Sequence, residues 1–534
     1  MKRTALVAIS KTKSTGLFQP LRSSTFRNLL IANMVSDIGT FAQSVGAAWL
    51  MVSLNAGPMY VALTSTASAL PYFVLALPAG ALGDIVDRRK LILTTETWMT
   101  CVAVVLAGVT IAGWMSPVLL LILTFLLSAG DAFESPSWRS ILPELVRKED
   151  LPAAAALNGI EFNIARAVGP AFGGFLIAIA GIGAAFVLNT VSFLGVILVI
   201  LRWKQPAAKR TTPPETVTGA TVAALRYVRY SPSVRVVLVR AGAAMFFASG
   251  LLALLPSVAR QVSRSPVGYG ALLGCFGFGA VLGALAMQRA RARFSVDQIV
   301  SVGIATFSLT TIAAGMLPSL IVLGAVMLAG GAAWVSFISL FNVQILNQAP
   351  DWVRARVQAV SMLVFQGAVA AGSATWGAVA GRAGLGHALW GAGIGMLGAA
   401  ALGLFLRLPD VTVDLTPWNH WRLPDIAEAS AEASAGAEGP VLVTAEYQVD
   451  PKRVSEFIKA IHEYERIRRR DGASRWGVGQ DLEHPHRYLE TFIVSSWAEH
   501  LRQHQRFTRA DSHVEERLLS CIVGEPAVHH YQYL

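Results

Sequence analysis

Between Leu29 and Leu406 the chain returns again and again to one feature, an apolar stretch, most of them about twenty residues long. Leu91 to Gly113, Val118 to Ala129, Phe175 to Leu201 and Leu320 to Phe341 are examples. A helix rises about 1.5 Å per residue, so twenty residues cross roughly 30 Å of hydrocarbon. Lipid offers the backbone no hydrogen-bond partner, and spans of this kind must therefore close their bonds internally as helices. About twelve fit, over residues 28–54, 60–83, 91–113, 117–138, 156–179, 183–202, 234–257, 267–288, 296–316, 319–346, 356–380 and 385–407. Only 14% of residues are charged, against about 25% in soluble domains. The fold class predicted is an all-α polytopic membrane protein with a small α+β domain behind it.

Charge fixes the expected orientation. Lys and Arg concentrate in alternate loops: Arg88, Arg89 and Lys90; Arg139, Arg147 and Lys148; Arg202 to Arg229; Arg289, Arg291 and Arg293; Arg354 and Arg356. The opposite loops hold only Arg260, Arg264 and Arg382. Positive loops stay inside, so both termini are expected in the cytoplasm and the chain in the plasma (inner) membrane. Residues 440–534 hold 13 Lys+Arg against 14 Asp+Glu, so the net charge of +11 comes from the first 439 residues. Basic residues placed this way report topology, and no nucleic-acid partner is expected. The basic, polar N-terminus has no cleavable-signal pattern. Cys101, Cys275 and Cys521 lie too far apart for a disulfide framework or a metal set.

The longest interspan loop divides the spans evenly. The expected domains are a cytoplasmic segment at 1–27, a six-helix half at 28–202, a Pro- and Arg-containing loop at 203–233 and a second half at 234–407. A linker at 408–440 and a soluble domain at 441–534 complete the chain. Trp138-Arg139-Ser140-Ile141-Leu142-Pro143 after the fourth span and Pro350-Asp351-Trp352-Val353-Arg354 after the tenth form a weak repeat. Parallel halves with a site between them are an established transporter plan.

Gly80-Ala81-Leu82-Gly83-Asp84-Ile85-Val86-Asp87-Arg88-Arg89-Lys90 lies between spans two and three. Through Gly80, Asp84, Arg88 and Arg89 it resembles the loop signature of the major facilitator superfamily, with Ile85 and Asp87 departing from it. As a gate, Asp84 would sit against a helix N-terminus of the other half and Arg88 would pair with a carboxylate on span four. Span five carries Ala165-Arg166-Ala167-Val168-Gly169-Pro170-Ala171-Phe172-Gly173-Gly174. This is similar to the superfamily's antiporter motif at Gly169, Pro170, Gly173 and Gly174, with Ala165 in place of its first glycine. Small residues permit close helix approach and Pro170 removes a backbone donor. Gly130-Asp131-Ala132-Phe133-Glu134-Ser135-Pro136 resembles the branch containing the enterobactin exporter and macrolide efflux pumps. The resemblance covers about residues 20–407.

Ionisable side chains inside spans are costly and usually functional. They are Asp37, Glu96, Asp131, Glu134, Glu161, Arg166 and Arg240. Helical rise puts Asp37, Asp131 and Arg166 at similar depth, and Asp131 and Glu134 share a helix face. The transport and coupling candidates are Asp37, Asp131 and Glu134, with Arg166 as counter-charge. A permanently paired network with Glu134 bound to Arg88 is the competing reading. Asn342, Gln344, Asn347 and Gln366 are expected either to line a central cavity or to satisfy one another.

After Trp418 and Trp421, which suit a membrane interface, and an Ala/Glu/Ser run at 427–434, the tail reads β-α-β-β-α-β. Strands are expected at 441–449, 474–481, 487–497 and 527–533, with Asp450-Pro451 starting the first helix and a second helical stretch at 498–523. Ser496-Trp497, Glu499-His500-Leu501 and His504 make it similar to small ferredoxin folds of the antibiotic-biosynthesis-monooxygenase type, which often pair. A homodimer through the tail is among the expectations. His500 and His504 stand one turn apart with His513 nearby, a spacing seen in metal sites, but a pocket-lining histidine face is the preferred reading. No metal, cofactor or catalytic set is expected, and the chain is not expected to be an enzyme.

These features imply a secondary transporter of small organic molecules, siderophores or drugs, coupled to protons and exporting by alternating access. An importer of the same fold and a membrane-anchored enzyme acting through its tail are the alternatives.

Overall fold

A computed structural model describes residues 16–203, 217–409, 413–418 and 439–532; the side chains of 76–77, 80–85, 139–140, 148 and 217–220 lie outside that description. The first part is a set of long helices: α1 (Ser24–Ser53), α2 (Gly57–Ile85), α3 (Arg88–Ile111), α4 (Pro117–Leu145), α5 (Leu151–Ala180) and α6 (Ile182–Arg202). A second set follows: α8 (Pro232–Ser263), α9 (Pro266–Arg291), α10 (Val296–Ala314), α11 (Leu320–Asn347), α12 (Asp351–Ala383) and α13 (Leu385–Phe405). Ten helices among the described residues, α3–α6 and α8–α13, are long and apolar enough to cross a membrane. α1 and α2 are of similar length but outside that count; the first half of α1 carries Arg27, Asn28, Asn33, Ser36 and Asp37.

The helices begin where the sequence supplies caps. Ser23, Asp87, Ser116, Ser265 and Ser295 each accept a hydrogen bond from a first-turn amide. Pro117, Pro232 and Pro266 occupy first-turn positions, where a missing N–H costs nothing. Large apolar side chains such as Ile111, Ile179, Leu285, Ile321 and Phe405 point out of the bundle, as a lipid-facing surface requires.

Packing between the two sets is symmetric. α2 packs on α12 and α5 packs on α9, so the second helix of each half meets the fifth of the other. These seams are made by small residues. A Cβ on Gly174 would lie 2.9 Å from Gly270 Cα, and one on Gly377 would lie 2.5 Å from Ala62 Cβ.

The region 203–233 is not only a loop. It contains α7 (Val217–Tyr230), which buries Ala223, Ala224 and Tyr227 and sends Arg226 and Arg229 to the other side. Tyr227 donates to Gln348 O at 2.7 Å and meets the Trp352 ring edge-on at 5.8 Å, fastening α7 to the α11–α12 junction. The proline-containing residues 204–216 lie outside the described residues, as does the N-terminal segment through residue 15.

The tail is a four-stranded antiparallel sheet in the order β2-β3-β1-β4, from β1 (Val441–Gln448), β2 (Trp476–Gln480), β3 (Arg487–Val494) and β4 (Ala527–Gln532). Its helices are α14 (Val454–Asp471), α15 (Trp497–Arg506) and α16 (Arg509–Leu519). Two expectations need correction. α14 starts at Val454, since Asp450 caps a turn through Lys452 N instead of the helix. The stretch 498–523 is broken at Phe507-Thr508, where Thr508 and Asp511 form a capping box for α16. Trp418 is fastened to the tail: its backbone N–H donates to Phe507 O at 2.9 Å and its ring lies under Arg509. Trp421 and the 427–434 run lie outside the described residues.

Candidate functional site

The in-span carboxyl groups of the first half gather into two pairs and a single group. Asp37 on α1 lies within hydrogen-bonding reach of Glu161 on α5. Asn33, one turn earlier, donates to Glu161 Oε2 at 3.5 Å. Glu96 on α3 faces Glu134 on α4 in the same way, and Thr95 donates to Glu134 Oε2 at 2.8 Å. Both glutamates are buried. Asp131, one turn from Glu134, is exposed and accepts the hydroxyl of Tyr72 from α2. Two carboxyl groups share a hydrogen bond only when one holds a proton, because an ionised carboxylate is solely an acceptor. Each pair is thus a place where one proton can be kept.

The sequence singled out Asp37, Asp131 and Glu134, but it did not pair them. Glu96 and Glu161, noted only as in-span charges, supply the partners. Arg166 on α5 is half-buried and makes no ion pair or hydrogen bond among the described residues, so the expected counter-charge contact is not formed. The competing Glu134–Arg88 pairing is not what the structure has: Glu134 is held by Thr95 and Glu96, while Arg88 pairs with Glu144 on α4 at 2.6 Å. Arg89 donates to Ile200 O and Leu201 O at 3.1 and 2.7 Å, satisfying the free carbonyls at the end of α6. The side chain of Asp84, and Gly80 with it, lies outside the described residues.

The span-five motif is a double seam. Cβ atoms on Gly169 and Gly173 would strike Phe41 and Ala42 of α1 at 2.6 Å, and one on Gly174 would strike α9. Pro170 O lies 3.1 Å from where a Gly270 Cβ would stand. α5 is therefore pressed between its own half and the other. Among the described residues, the hydrogen bonds between halves lie toward the end away from the Lys/Arg-rich loops. Thr66 donates to Ala370 O at 3.2 Å; Arg260 donates to Val52 O and, at 2.6 Å, to Asn55 Oδ1. Trp49 stacks on Tyr269 beside them.

In the second half, Arg240 is fully buried; its two terminal nitrogens meet Asp297, Ser301 and Leu406 O, while its Nε has no hydrogen-bond partner among the described residues. Gln344 is not a cavity residue: its amide donates to Pro409 O at 2.8 Å. Gln358 and Asn342 hydrogen-bond each other at 3.4 Å. Asn347 is exposed and Gln366 half-buried.

In the tail, His500 Nε2 stands 3.1 Å from His504 Nε2 and 3.0 Å from His530 Nε2, with the Trp497 ring against it. Burial, with His504 and His530 beside it, holds the His500 imidazole down to about 3. His513 is elsewhere, 3.5 Å from Glu516. Among the described residues no group of three or more His, Cys, Asp or Glu side chains is arranged to hold a metal ion. Glu490, fully buried, accepts from Tyr447 and Trp476 at 2.8 Å beside Arg468. The tail also docks on the membrane part. Glu499 takes Arg226 of α7 at 3.1 Å and Arg506 at 2.6 Å, and the Arg506 guanidinium lies 4.6 Å above the Trp352 ring.

Comparison with known proteins agrees with this architecture. A profile described as transmembrane secretion effector, MFS_3, matches residues 15–533, tail included. The multidrug efflux pump Tap of Mycolicibacterium fortuitum is 25% identical over 408 residues, which is 73% of this chain and 97% of the pump. The staphyloferrin A transporter of Staphylococcus aureus is 24% identical over 165 residues, 31% of this chain and 42% of that protein. Among solved structures, a mutant nucleoside transporter NupG superposes with a TM-score of 0.60 at 12% identity, covering 72% of this chain and all of that one. An inward-facing bacterial homologue of the lysosomal transporter Spinster gives 0.56 at 16% identity, over 73% and 96%. These neighbours are transporters, not enzymes, and the chain is a multi-pass membrane protein of the major facilitator type, a member of the transmembrane secretion effector family.

Proposed function

We propose that this protein is a proton-coupled exporter of a small organic molecule of the siderophore or drug class. It works by alternating access between two six-helix halves, α1–α6 and α8–α13, all twelve helices spanning the plasma (inner) membrane. Both termini lie in the cytoplasm, as the Lys/Arg-rich loops require. The carrying observation is the cluster of carboxyl groups in the first half, where Asp37 lies beside Glu161 and Glu96 beside Glu134, with Asp131 one turn away, an arrangement suited to keeping a proton in each pair. Asp131, reached by Tyr72 from the helix that packs on α12, is placed to sense movement of the second half. Arg166 supplies a positive charge for whichever carboxylate loses its proton. The hydrogen bonds described between the halves, at the end away from the basic loops, support a state open toward the cytoplasm. The gate motif at Gly80, Asp84, Arg88 and Arg89 closes that side in the other state.

Export as the direction rests on the span-five motif and on the likeness to an efflux pump. A siderophore or drug cargo follows the names of the two relatives. The strand order of the tail suits a ferredoxin-like fold of the monooxygenase-related type, serving here as a dimerising or ligand-sensing appendage without chemistry of its own. The test is transport in sealed vesicles under an imposed proton gradient. Asp131→Asn is expected to abolish gradient-driven export while membrane insertion stays normal, and Asp37→Asn to impair it strongly. Full transport by both variants refutes a coupling role for these carboxylates.

A further inference from the structure

Where the tail meets the start of the second half, a cavity of about 280 Å³ opens, lined by Arg229, Tyr230, Pro232, Arg235, Glu465, Arg466 and Arg469. Four guanidinium groups thus face one carboxylate. Glu465 is engaged by Arg469 at 2.8 Å, whereas Arg229, Arg235 and Arg466 form no ion pair among the described residues. Three like charges held together without a partner repel one another, and an anion between them removes that cost. Guanidinium forks match the oxygens of a phosphate better than those of a halide or a single hydroxyl. The cavity has two walls from different parts of the molecule. Arg229 closes α7 and Arg235 sits in the first turn of α8, where a membrane-crossing helix begins; Arg466 and Arg469 come from α14 of the tail.

We propose that this cavity is a phosphate site for an anionic lipid headgroup, which joins the tail to the second half at the membrane surface. Basic pockets at the cytoplasmic ends of spans suit such headgroups, and a phosphate between α8 and α14 adds a bond that neither wall makes alone. The site stands apart from the carboxyl cluster and does not depend on the direction of transport.

The full-length protein in a zwitterionic or neutral detergent is titrated with short-chain phosphatidic acid and, separately, with inorganic phosphate. Saturable binding of the lipid is expected, weakened about thirtyfold in the Arg235→Gln/Arg466→Gln double variant. Both arginines are exposed, so the variant is expected to fold, and an unchanged melting temperature in the absence of lipid verifies it. Arg453→Gln, which alters a half-buried tail arginine paired with Glu456 outside the cavity, is expected to bind as the parent does. Binding of the lipid alone identifies the headgroup as the source; equal binding of inorganic phosphate supports the phosphate site and moves its source to the soluble phase. The proposal is overturned if neither probe binds, if the double variant binds like the parent, or if Arg453→Gln weakens binding equally.

Discussion

Gly174 offers the sharpest test of how the halves move. A Cβ there would stand 2.9 Å from Gly270 Cα and 3.0 Å from Pro266 O, both backbone atoms of α9 that cannot swing aside as a side chain can. Valine at this position must therefore push α5 and α9 apart. Overpacking of a tight seam costs about 1–3 kcal/mol, and because this contact lies in the closed end, the cost falls on the described state. The same energy shifts a two-state equilibrium by about 5- to 150-fold. The assay is thiol labelling of a single cysteine introduced at Thr66, beside the closed end, by an impermeant reagent applied from the side away from the basic loops. Labelling in Gly174→Val is expected to rise by at least about fivefold. Gly159→Val on the same helix is the control, since a Cβ there meets nothing within 4 Å and no change is expected. Equal labelling of the Gly174→Val protein and its parent would refute the idea that this seam holds one access state closed.

Arg260→Gln removes the bonds to Val52 O and Asn55 Oδ1; charged hydrogen bonds contribute about 1.5–3 kcal/mol each, so the same labelling assay is expected to show opening in the same direction. Protonation of His500 should unsettle the tail. Its folded value near 3 lies below the ordinary 6.5, so the unfolded chain takes up a proton first and stability falls as pH drops from about 6.5 toward 3. The slope is about 1.4 kcal/mol per pH unit; hydrogen exchange across Trp497–Arg506 in the intact protein is expected to quicken accordingly, and a pH-independent rate corrected for intrinsic exchange would count against it. Glu499→Gln loosens the tail from α7. Burial raises the Glu499 carboxyl, but Arg506, Arg502 and Arg226 outweigh it and hold the group below its ordinary value. Faster exchange of α7 amides in the variant, with the α8–α13 amides unchanged, is the outcome to look for.

What the sequence made legible follows from the range of the forces involved. Long apolar helices declare themselves by length and apolarity, so their order was readable, while several run past the apolar stretch, α4 to Leu145 and the first helix of the second half to Ser263. α7 did not, because a 14-residue helix with Arg226 and Arg229 on one side looks like a basic loop until Tyr227 is seen against Trp352. The division of the second tail helix at Phe507-Thr508 was in principle readable, since Thr508-x-x-Asp511 is a capping-box pattern in mid-stretch. The carboxyl pairs were not, because Glu96 and Glu134 sit on separate helices and nothing local reveals that they face each other. For the same reason the sequence offers Arg88 a carboxylate on span four but does not distinguish Glu144, which it meets, from Glu134.

Among the described residues the tail meets α7 and the second half: Glu499 holds Arg226, Arg470 lies 5.7 Å over the Tyr227 ring, Arg506 lies over Trp352, and α14 faces the start of α8. If the halves rock against each other, the tail must travel with one of them and leave the other unencumbered. A dimer assembled through the tails would then tie second half to second half. The first halves, which carry the carboxyl groups, would swing as the free limbs of a fixed frame, and two copies could share a frame without sharing a stroke.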